Sequence, residues 1–235
     1  MKRHYNKILA WIERKRFSLL LLSTILTLVL PAFSGSGLLS EFIFVIAISF
    51  LFLHSMVVAN VKKSKKNLLR IIVISLIMLS WLKPIGVDFV YIEVFKLTFL
   101  VAFFVFVITY LIRFISRSDT VNLNVLITSV NIYLLGGIIG ASLALVCYKI
   151  YPDAYNFPAY TNPNVFVTFL YYSFITMSTV GYGDIAPRIP ETQTLAYLIS
   201  VAGQLYVAIV IAVLIGKFLM HNDQKTTDQK SGPKE

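Results

Sequence analysis

The sequence predicts an all-α integral membrane protein, because long apolar segments alternate with short polar or basic ones. Of the 235 residues, 57% are hydrophobic and 14% are charged, and the mean hydropathy is +0.78. Soluble domains carry about 25% charged residues. The composition therefore favours a lipid environment and excludes an ordinary soluble domain.

Six segments reach the length of about 20 apolar residues that crosses the hydrocarbon core of a bilayer. These predicted spans are residues 17–33, 39–59, 68–83, 89–112, 123–148 and 192–218. A shorter apolar segment, 163–178, follows Asn162 as an N-cap and begins with Pro163, which suits a first helical turn. We predict that this segment is a re-entrant helix.

The motif with the clearest chemistry follows this short helix. It consists of Thr179, Val180, Gly181, Tyr182 and Gly183. Such a loop can replace the hydration shell of K⁺ with backbone carbonyl oxygens and the Thr179 hydroxyl. Gly181 and Gly183 allow the backbone conformations that turn successive carbonyls to one side, and Val180 and Tyr182 then pack outward. Because one loop cannot encircle an ion, the motif predicts a tetramer around a shared axis, with a homotetramer as the first expectation.

The segment from Asn122 to Met220 resembles the pore module of potassium channels, with an outer helix, a pore helix, a selectivity filter and an inner helix. With four spans before it, the whole chain resembles the six-span potassium channel family, although this wider likeness depends on architecture and not on a motif. The resemblance implies a passive potassium channel in the cell membrane, with K⁺ as the permeant ion and no cofactor. The ion would bind to backbone carbonyls of Thr179, Val180, Gly181 and Tyr182.

The same resemblance assigns support of the filter to Tyr171, Ser178 and Asp184. Tyr171 stands where many relatives have a tryptophan that donates a hydrogen bond to the filter aspartate, here Asp184. A tyrosine hydroxyl can make the same contact.

The last span carries Gly203 where relatives often have a hinge glycine. The alternative is that Gly203 only permits close packing against the fifth span, where Gly136, Gly140 and Ala144 form a face of small residues. Both interpretations can hold together.

Gln204 is, by carry-over from the family pattern, the polar side chain expected to approach the cavity below the filter. Further along the span, Ile211 and Ile215 are expected to line an apolar inner mouth that can close by dewetting.

The front four spans resemble a degenerate voltage sensor, because the fourth span lacks a ladder of arginines. It contains Glu93 and Lys96, spaced to pair on one helical face, with Arg113 and Arg117 beyond its end. We therefore expect little intrinsic voltage dependence. Glu93 and Lys96 are either a modulatory site or, as we favour, a pair that fixes helix packing. His54 in the second span is either pH-sensitive or a hydrogen-bonded core residue.

Charge asymmetry predicts the orientation, because cytoplasmic loops of membrane proteins are enriched in Lys and Arg. Basic residues flank the predicted inner ends of the spans: Lys2, Arg3, Lys7, Arg14, Lys15, Arg16, Lys62, Lys63, Lys65, Lys66, Arg70, Arg113, Arg117, Lys217, Lys225, Lys230 and Lys234. Both termini are expected in the cytoplasm. The net charge of +10 then reflects this bias, which suits anionic lipid and gives no indication of nucleic-acid binding.

The expected organisation is a basic cytoplasmic segment at 1–16, a four-helix domain at 17–116, a pore module at 117–220 and a cytoplasmic tail at 221–235. The basic segment is either a helix on the inner membrane face or a frayed tail. The start of the chain also resembles a signal peptide, but retention is favoured because the first span completes a four-helix bundle.

The tail is too short for a ligand-binding domain, so control would fall to lipid, the front spans or a regulatory protein that the sequence does not identify. Three His and one Cys, without clustered carboxylates, give no catalytic constellation, and we expect no enzyme. Two alternatives stay open: a non-conducting or regulatory subunit of a heteromeric channel, and a membrane sensor.

Overall fold

The computed structural model describes residues 2–33, 38–59, 61, 63–87, 89–118, 120–157 and 164–230. The described chain is almost entirely helical. Its helices are α1 (Lys2–Phe33), α2 (Leu38–Val58), α3 (Lys63–Trp81), α4 (Val90–Arg117), α5 (Leu123–Ile150), α6 (Val165–Met177) and α7 (Pro190–Lys230), with a 3₁₀ turn at Pro152–Ala154 and two short strands, β1 (Tyr155–Asn156) and β2 (Ala186–Pro187).

A long helix overlaps each of the six predicted spans, but only four helices within the described residues are long and apolar enough to cross a membrane by length and composition. These are Leu38–Val58, Val90–Arg117, Leu123–Ile150 and Pro190–Lys217. The other two long helices carry basic residues inside their bounds: Arg14, Lys15 and Arg16 in α1, and Lys65, Lys66 and Arg70 in α3. The helical content and the four apolar helices indicate a multi-pass membrane protein.

The boundary expected at residue 16 is not a break in the structure. α1 runs from Lys2 to Phe33, so the basic segment and the first predicted span form one helix. α7 likewise continues to Lys230, past the expected start of the tail at 221. Neither segment contains a residue that forces an earlier end, since Pro31 lies in the last turn of α1.

Aromatic side chains hold the front helices together. Phe52 of α2 packs against Phe103 and Phe104 of α4, with ring centroids 5.7 Å apart in both pairs. Phe52 and Phe104 are fully buried. Burial of large aromatic side chains contributes several kilocalories per mole even without polar contacts, so this cluster anchors α4 to α2.

α1 packs against α4 and α5 as well as against α2. The side-chain amide of Asn131, in α5, donates to the carbonyl of Phe17 at 3.1 Å. The Phe17 ring packs against Phe114 of α4 with centroids 4.4 Å apart. Through these contacts α1, α4 and α5 form one packed unit.

α6 starts two residues later than the sequence predicted. Asn164, not Asn162, is the N-cap, and its side-chain oxygen accepts from the Phe166 amide at 3.1 Å. Asn162 and Pro163 lie outside the described residues. Asparagine is a strong N-cap at either place, so composition alone could not choose between them.

Small residues let α6 lie directly on α5. A Cβ added at Gly137 would come within 2.9 Å of the Phe174 ring, and the Ser173 hydroxyl donates to the Gly137 carbonyl at 2.8 Å. The predicted small-residue face of α5 therefore receives the short helix, and Gly137, which the sequence analysis did not single out, is its closest contact.

Candidate functional site

The candidate loop begins where α6 ends. The amide of Ser178, the C-cap residue, donates to the Phe174 carbonyl at 2.9 Å, and its hydroxyl donates to the same carbonyl at 2.7 Å. The Thr179 amide donates to Thr176 at 3.0 Å, and the Gly181 amide donates to Ile175 at 3.1 Å. These bonds use the last carbonyls of α6, so the helix end fixes the start of the loop.

Backbone conformation alternates along the loop. Thr179, Gly181 and Gly183 have positive φ angles of 62°, 53° and 79°, whereas Val180 and Tyr182 do not. An alternation between left- and right-handed conformations turns successive carbonyls towards the same side of the chain. The glycine conformations agree with the prediction, and Thr179 is an addition: among the described residues it is the only non-glycine with positive φ.

On the outer side, Tyr171 of α6 contacts the residue that follows the loop. Its hydroxyl donates to Asp184 Oδ2 at 2.7 Å, which is the contact that the sequence predicted. Both residues are exposed within one chain. The contact ties the outer end of the loop to α6; its importance for ion passage stays a prediction.

A second connection holds the segment after the loop. β2 pairs antiparallel with β1, with Tyr155 opposite Pro187 and Asn156 opposite Ala186. Next to the strands, the Ala154 carbonyl accepts from the Arg188 amide at 2.9 Å and from the Thr192 hydroxyl at 3.1 Å. The loop is thus held at both ends, by α6 and by the β1–β2 pair. No sequence motif indicated this pairing, because each strand is only two residues long.

An aromatic cluster lies behind α6. Tyr155 packs against Phe157, Phe169 and Tyr172, and Tyr148 packs against Phe157 and Phe169, with centroids 5.1–6.4 Å apart. Burial in this cluster raises the pKa of the Tyr155 hydroxyl, so that side chain stays neutral at physiological pH. The cluster gives α6 a rigid apolar backing.

On the inner side, α7 passes close to the end of α6 at Gly203. A Cβ added at Gly203 would lie 3.0 Å from the Met177 carbonyl carbon, and the Met177 oxygen and Cγ would be closer still. α7 is a continuous helix through this point. The nearest atoms to Gly203 thus belong to Met177 at the end of α6, a contact that the packing interpretation did not include. The hinge role of Gly203 stays a prediction.

The next residue, Gln204, reaches the loop. Its Nε2 lies 3.5 Å from Thr179 Oγ1, the long limit of a hydrogen bond. Farther along α7, Ile211 and Ile215 are about half exposed within one chain, and no structural contact assigns them a role in closing a pore.

Much of the site is uncovered within a single chain. Tyr182 is 73% exposed and Val180 is 52% exposed, and only 11% of the most apolar part of α7 is buried. The described residues of one chain therefore leave both side chains, which were expected to pack outward, largely uncovered. An apolar helix with so little cover must contact lipid or another protein.

Two ion pairs lie at the end of the molecule opposite Lys217. Glu93 Oε2 of α4 lies 2.5 Å from Lys149 Nζ of α5, with both side chains largely buried, and Glu41 of α2 lies 3.2 Å from Lys83. The sequence predicts a pair between Glu93 and Lys96 on one helix, and the structure adds the ion pair with Lys149, which joins two antiparallel helices.

At the other end, Lys217 of α7 binds the carboxyl end of α4. Its ammonium group donates to the carbonyls of Ile115 at 2.6 Å, Ser116 at 3.4 Å and Ser118 at 2.5 Å. A cation at a helix carboxyl terminus satisfies free carbonyls and interacts favourably with the helix dipole. From the sequence alone, Lys217 is one of many basic residues at the predicted inner end.

Comparison with known proteins gives one family match. Residues 126–220, about two fifths of the chain, match the family described as "Ion channel". This segment is therefore similar to an ion-channel region. The matched segment runs from α5 through the loop into α7. The match supports passive ion passage rather than catalysis. No solved structure matches the chain. Within the described residues, no three His, Cys, Asp or Glu side chains are grouped to hold a metal ion.

Proposed function

We propose that the chain is one subunit of a potassium-selective channel, in which four copies surround a pore lined by the loop after α6. The observation that carries the proposal is the alternating backbone of the Thr-Val-Gly-Tyr-Gly loop, with positive φ at Thr179, Gly181 and Gly183. In such a loop the carbonyls can replace the water around K⁺. The Thr179 hydroxyl adds an oxygen at the inner end.

The exposed surfaces support assembly into a homotetramer. The loop is held at both ends, yet it is open on the side where an ion would pass. A single loop cannot surround that ion, so other copies of the chain must complete the site. The largely uncovered α7 would line the shared axis and contact its neighbours. Closed rings of identical subunits are the usual solution for such a surface.

The proposed arrangement has six spans, α1 to α5 and α7, with α6 entering and leaving from the outer side. The Glu93–Lys149 pair would lie at the outer end, and Lys217 at the inner end together with both termini. The basic inner end would face the anionic leaflet of the cell membrane.

The same proposal includes little intrinsic voltage dependence. Each charge that crosses 100 mV supplies only about 2.3 kcal/mol, so steep gating needs several mobile charges in each subunit. In α4, Glu93 is neutralised by Lys149, and Arg113 and Arg117 lie in the last turns. Opening that required several gating charges per tetramer would contradict this part of the proposal.

The test is rubidium or potassium uptake into liposomes that contain the purified full chain, with sodium as the competing ion. Gly181→Ala is expected to abolish uptake, because φ is 53° there and a side chain costs about 1–2 kcal/mol in each subunit. Gly86→Ala is the matched control: φ is 89°, a Cβ would meet no atom within 4 Å, and the residue lies in the turn after α3.

Uptake that favours potassium, is lost in Gly181→Ala and survives in Gly86→Ala would support the channel. Equal uptake of sodium and potassium would contradict selectivity. An assembled protein with no uptake under any condition would favour the non-conducting subunit or the membrane sensor.

A further inference from the structure

The inner end of the candidate filter has a polar neighbour that nothing else in the proposed function explains. Gln204 lies in a helical segment whose exposed side chains are mostly apolar, including Val201, Leu205, Ile209 and Ile211. Gln204 is itself exposed within one chain, so its amide stays open to water and ions. Its Nε2 lies 3.5 Å from the Thr179 hydroxyl.

The backbone fixes where this amide lies. Gly203 brings α7 against the last residue of α6, Met177, which is two positions before Thr179. Since Gly203 itself places no side chain against Met177, the next residue of α7, Gln204, lies close to Thr179. The position of Gln204 thus follows from a close backbone approach and not from a flexible side chain alone.

The chemistry of the contact leaves oxygen atoms free for a cation. A threonine hydroxyl has two lone pairs, and an amide N–H that donates to one of them leaves the other available. The carbonyl oxygen of the same Gln204 side chain keeps its own lone pairs, and amide oxygens are ligands of the kind that bind hard monovalent ions.

We propose that Gln204 is a specificity-determining residue: four copies form a ring of amide oxygens at the inner entrance of the filter, where K⁺ is held while it exchanges water for protein oxygens. This inference rests on the proposed function, because a ring exists only in the tetramer. The ring gives a partly dehydrated ion polar ligands where the wall is otherwise apolar. It also links the position of α7 to the oxygen of Thr179.

The test measures ion binding directly, so it does not depend on an open channel. Thermal unfolding of the purified full chain is followed while K⁺ is titrated at constant ionic strength against Na⁺. A ligand that binds only the native state stabilises that state by RT ln(1 + [L]/Kd), so tighter binding raises the unfolding midpoint further. We expect K⁺ to stabilise the wild type more than Na⁺ does.

Three variants test whether the Gln204 side-chain oxygen contributes to K⁺ binding. Gln204→Leu removes the oxygen and is expected to raise the K⁺ concentration for half-maximal stabilisation by about tenfold, equivalent to about 1.4 kcal/mol. Gln204→Glu keeps acceptor oxygens and should bind K⁺ at least as well as the wild type. Tyr206→Phe is the matched control, because it removes a different α7 hydrogen bond, from Tyr206 to the Ser129 carbonyl.

Each outcome has a distinct meaning. A weaker K⁺ effect in Gln204→Leu, restored in Gln204→Glu and unchanged in Tyr206→Phe, supports the ring. Equal K⁺ dependence in wild type and Gln204→Leu overturns the ring and leaves the proposed channel intact, as does an equal shift in Gln204→Leu and Tyr206→Phe. A wild type that K⁺ stabilises no more than Na⁺ overturns the proposed function and the ring with it. If Gln204→Leu does not fold, a K⁺ affinity of Gln204→Glu below that of the wild type overturns the ring.

Discussion

Replacing Gly203 by alanine distinguishes two roles for this glycine, close packing of α7 against α6 and bending of α7. The added Cβ would lie 3.0 Å from the Met177 carbonyl carbon and closer still to its oxygen, distances that real Cβ atoms essentially never show. Because that obstacle includes backbone, one helix must shift. Overpacking of this kind costs about 1–3 kcal/mol. Loss of a flexible glycine from a helix would instead stabilise the fold by up to about 1 kcal/mol.

The two interpretations therefore predict changes of opposite sign. If packing against Met177 dominates, Gly203→Ala lowers the unfolding midpoint of the purified protein, and potassium uptake falls because the end of α6 moves with Thr179. If bending dominates, the midpoint is unchanged or higher while uptake falls.

The double variant Ala202→Gly/Gly203→Ala provides the control, since Ala202 is exposed and glycine there restores flexibility without removing the new Cβ. We expect the double variant to stay impaired. Recovery of uptake in the double variant, or a Gly203→Ala protein as stable and active as the wild type, would refute the packing argument.

Three further substitutions test the contacts around the site. Tyr171→Phe removes the 2.7 Å hydrogen bond that ties Asp184 to α6, so potassium uptake should fall, and unchanged uptake would count against the contact. Glu93→Gln leaves the largely buried Lys149 without its charge partner and should destabilise the fold by about 3 kcal/mol. In denaturant unfolding, the double variant Glu93→Gln/Lys149→Met should lose clearly less stability than the sum of the losses in the two single variants. Strict additivity of these losses would show that the pair is not coupled. Lys217→Met removes the ammonium group from the carboxyl end of α4 and should cost about 1–2 kcal/mol, whereas Lys217→Arg should retain most of the stability; equal midpoints for both variants would contradict the capping role.

Local sequence was sufficient where one segment determines its own structure. The long apolar segments predicted the helices to within a few residues at most ends, because a helix satisfies its own backbone and its apolar length is visible in the sequence. The glycines at 181 and 183 predicted positive φ, because few other residues adopt it readily. The change in charge at residue 16 does not end a helix, since α1 runs from Lys2 to Phe33 through it.

Contacts between distant segments were harder to predict. Glu93 was matched with a neighbour on its own helix, whereas its ion pair with Lys149 depends on how α4 packs against α5. Gly203 was assigned to the fifth span because small residues recur there, yet its close contact is Met177. A one-dimensional pattern gives the face that packs but not the helix that it meets.

The sequence by itself determined the apolar helices, the excess of positive charge and the order of residues in the loop. These depend on side-chain chemistry and on backbone preferences that act within a few residues. Only the tertiary structure decided that Lys217 binds the end of α4, that the Ala154 carbonyl holds the segment after the loop, and that Gln204 reaches Thr179. Each of these contacts joins atoms far apart in the chain, and their geometry is set by the packing of whole helices.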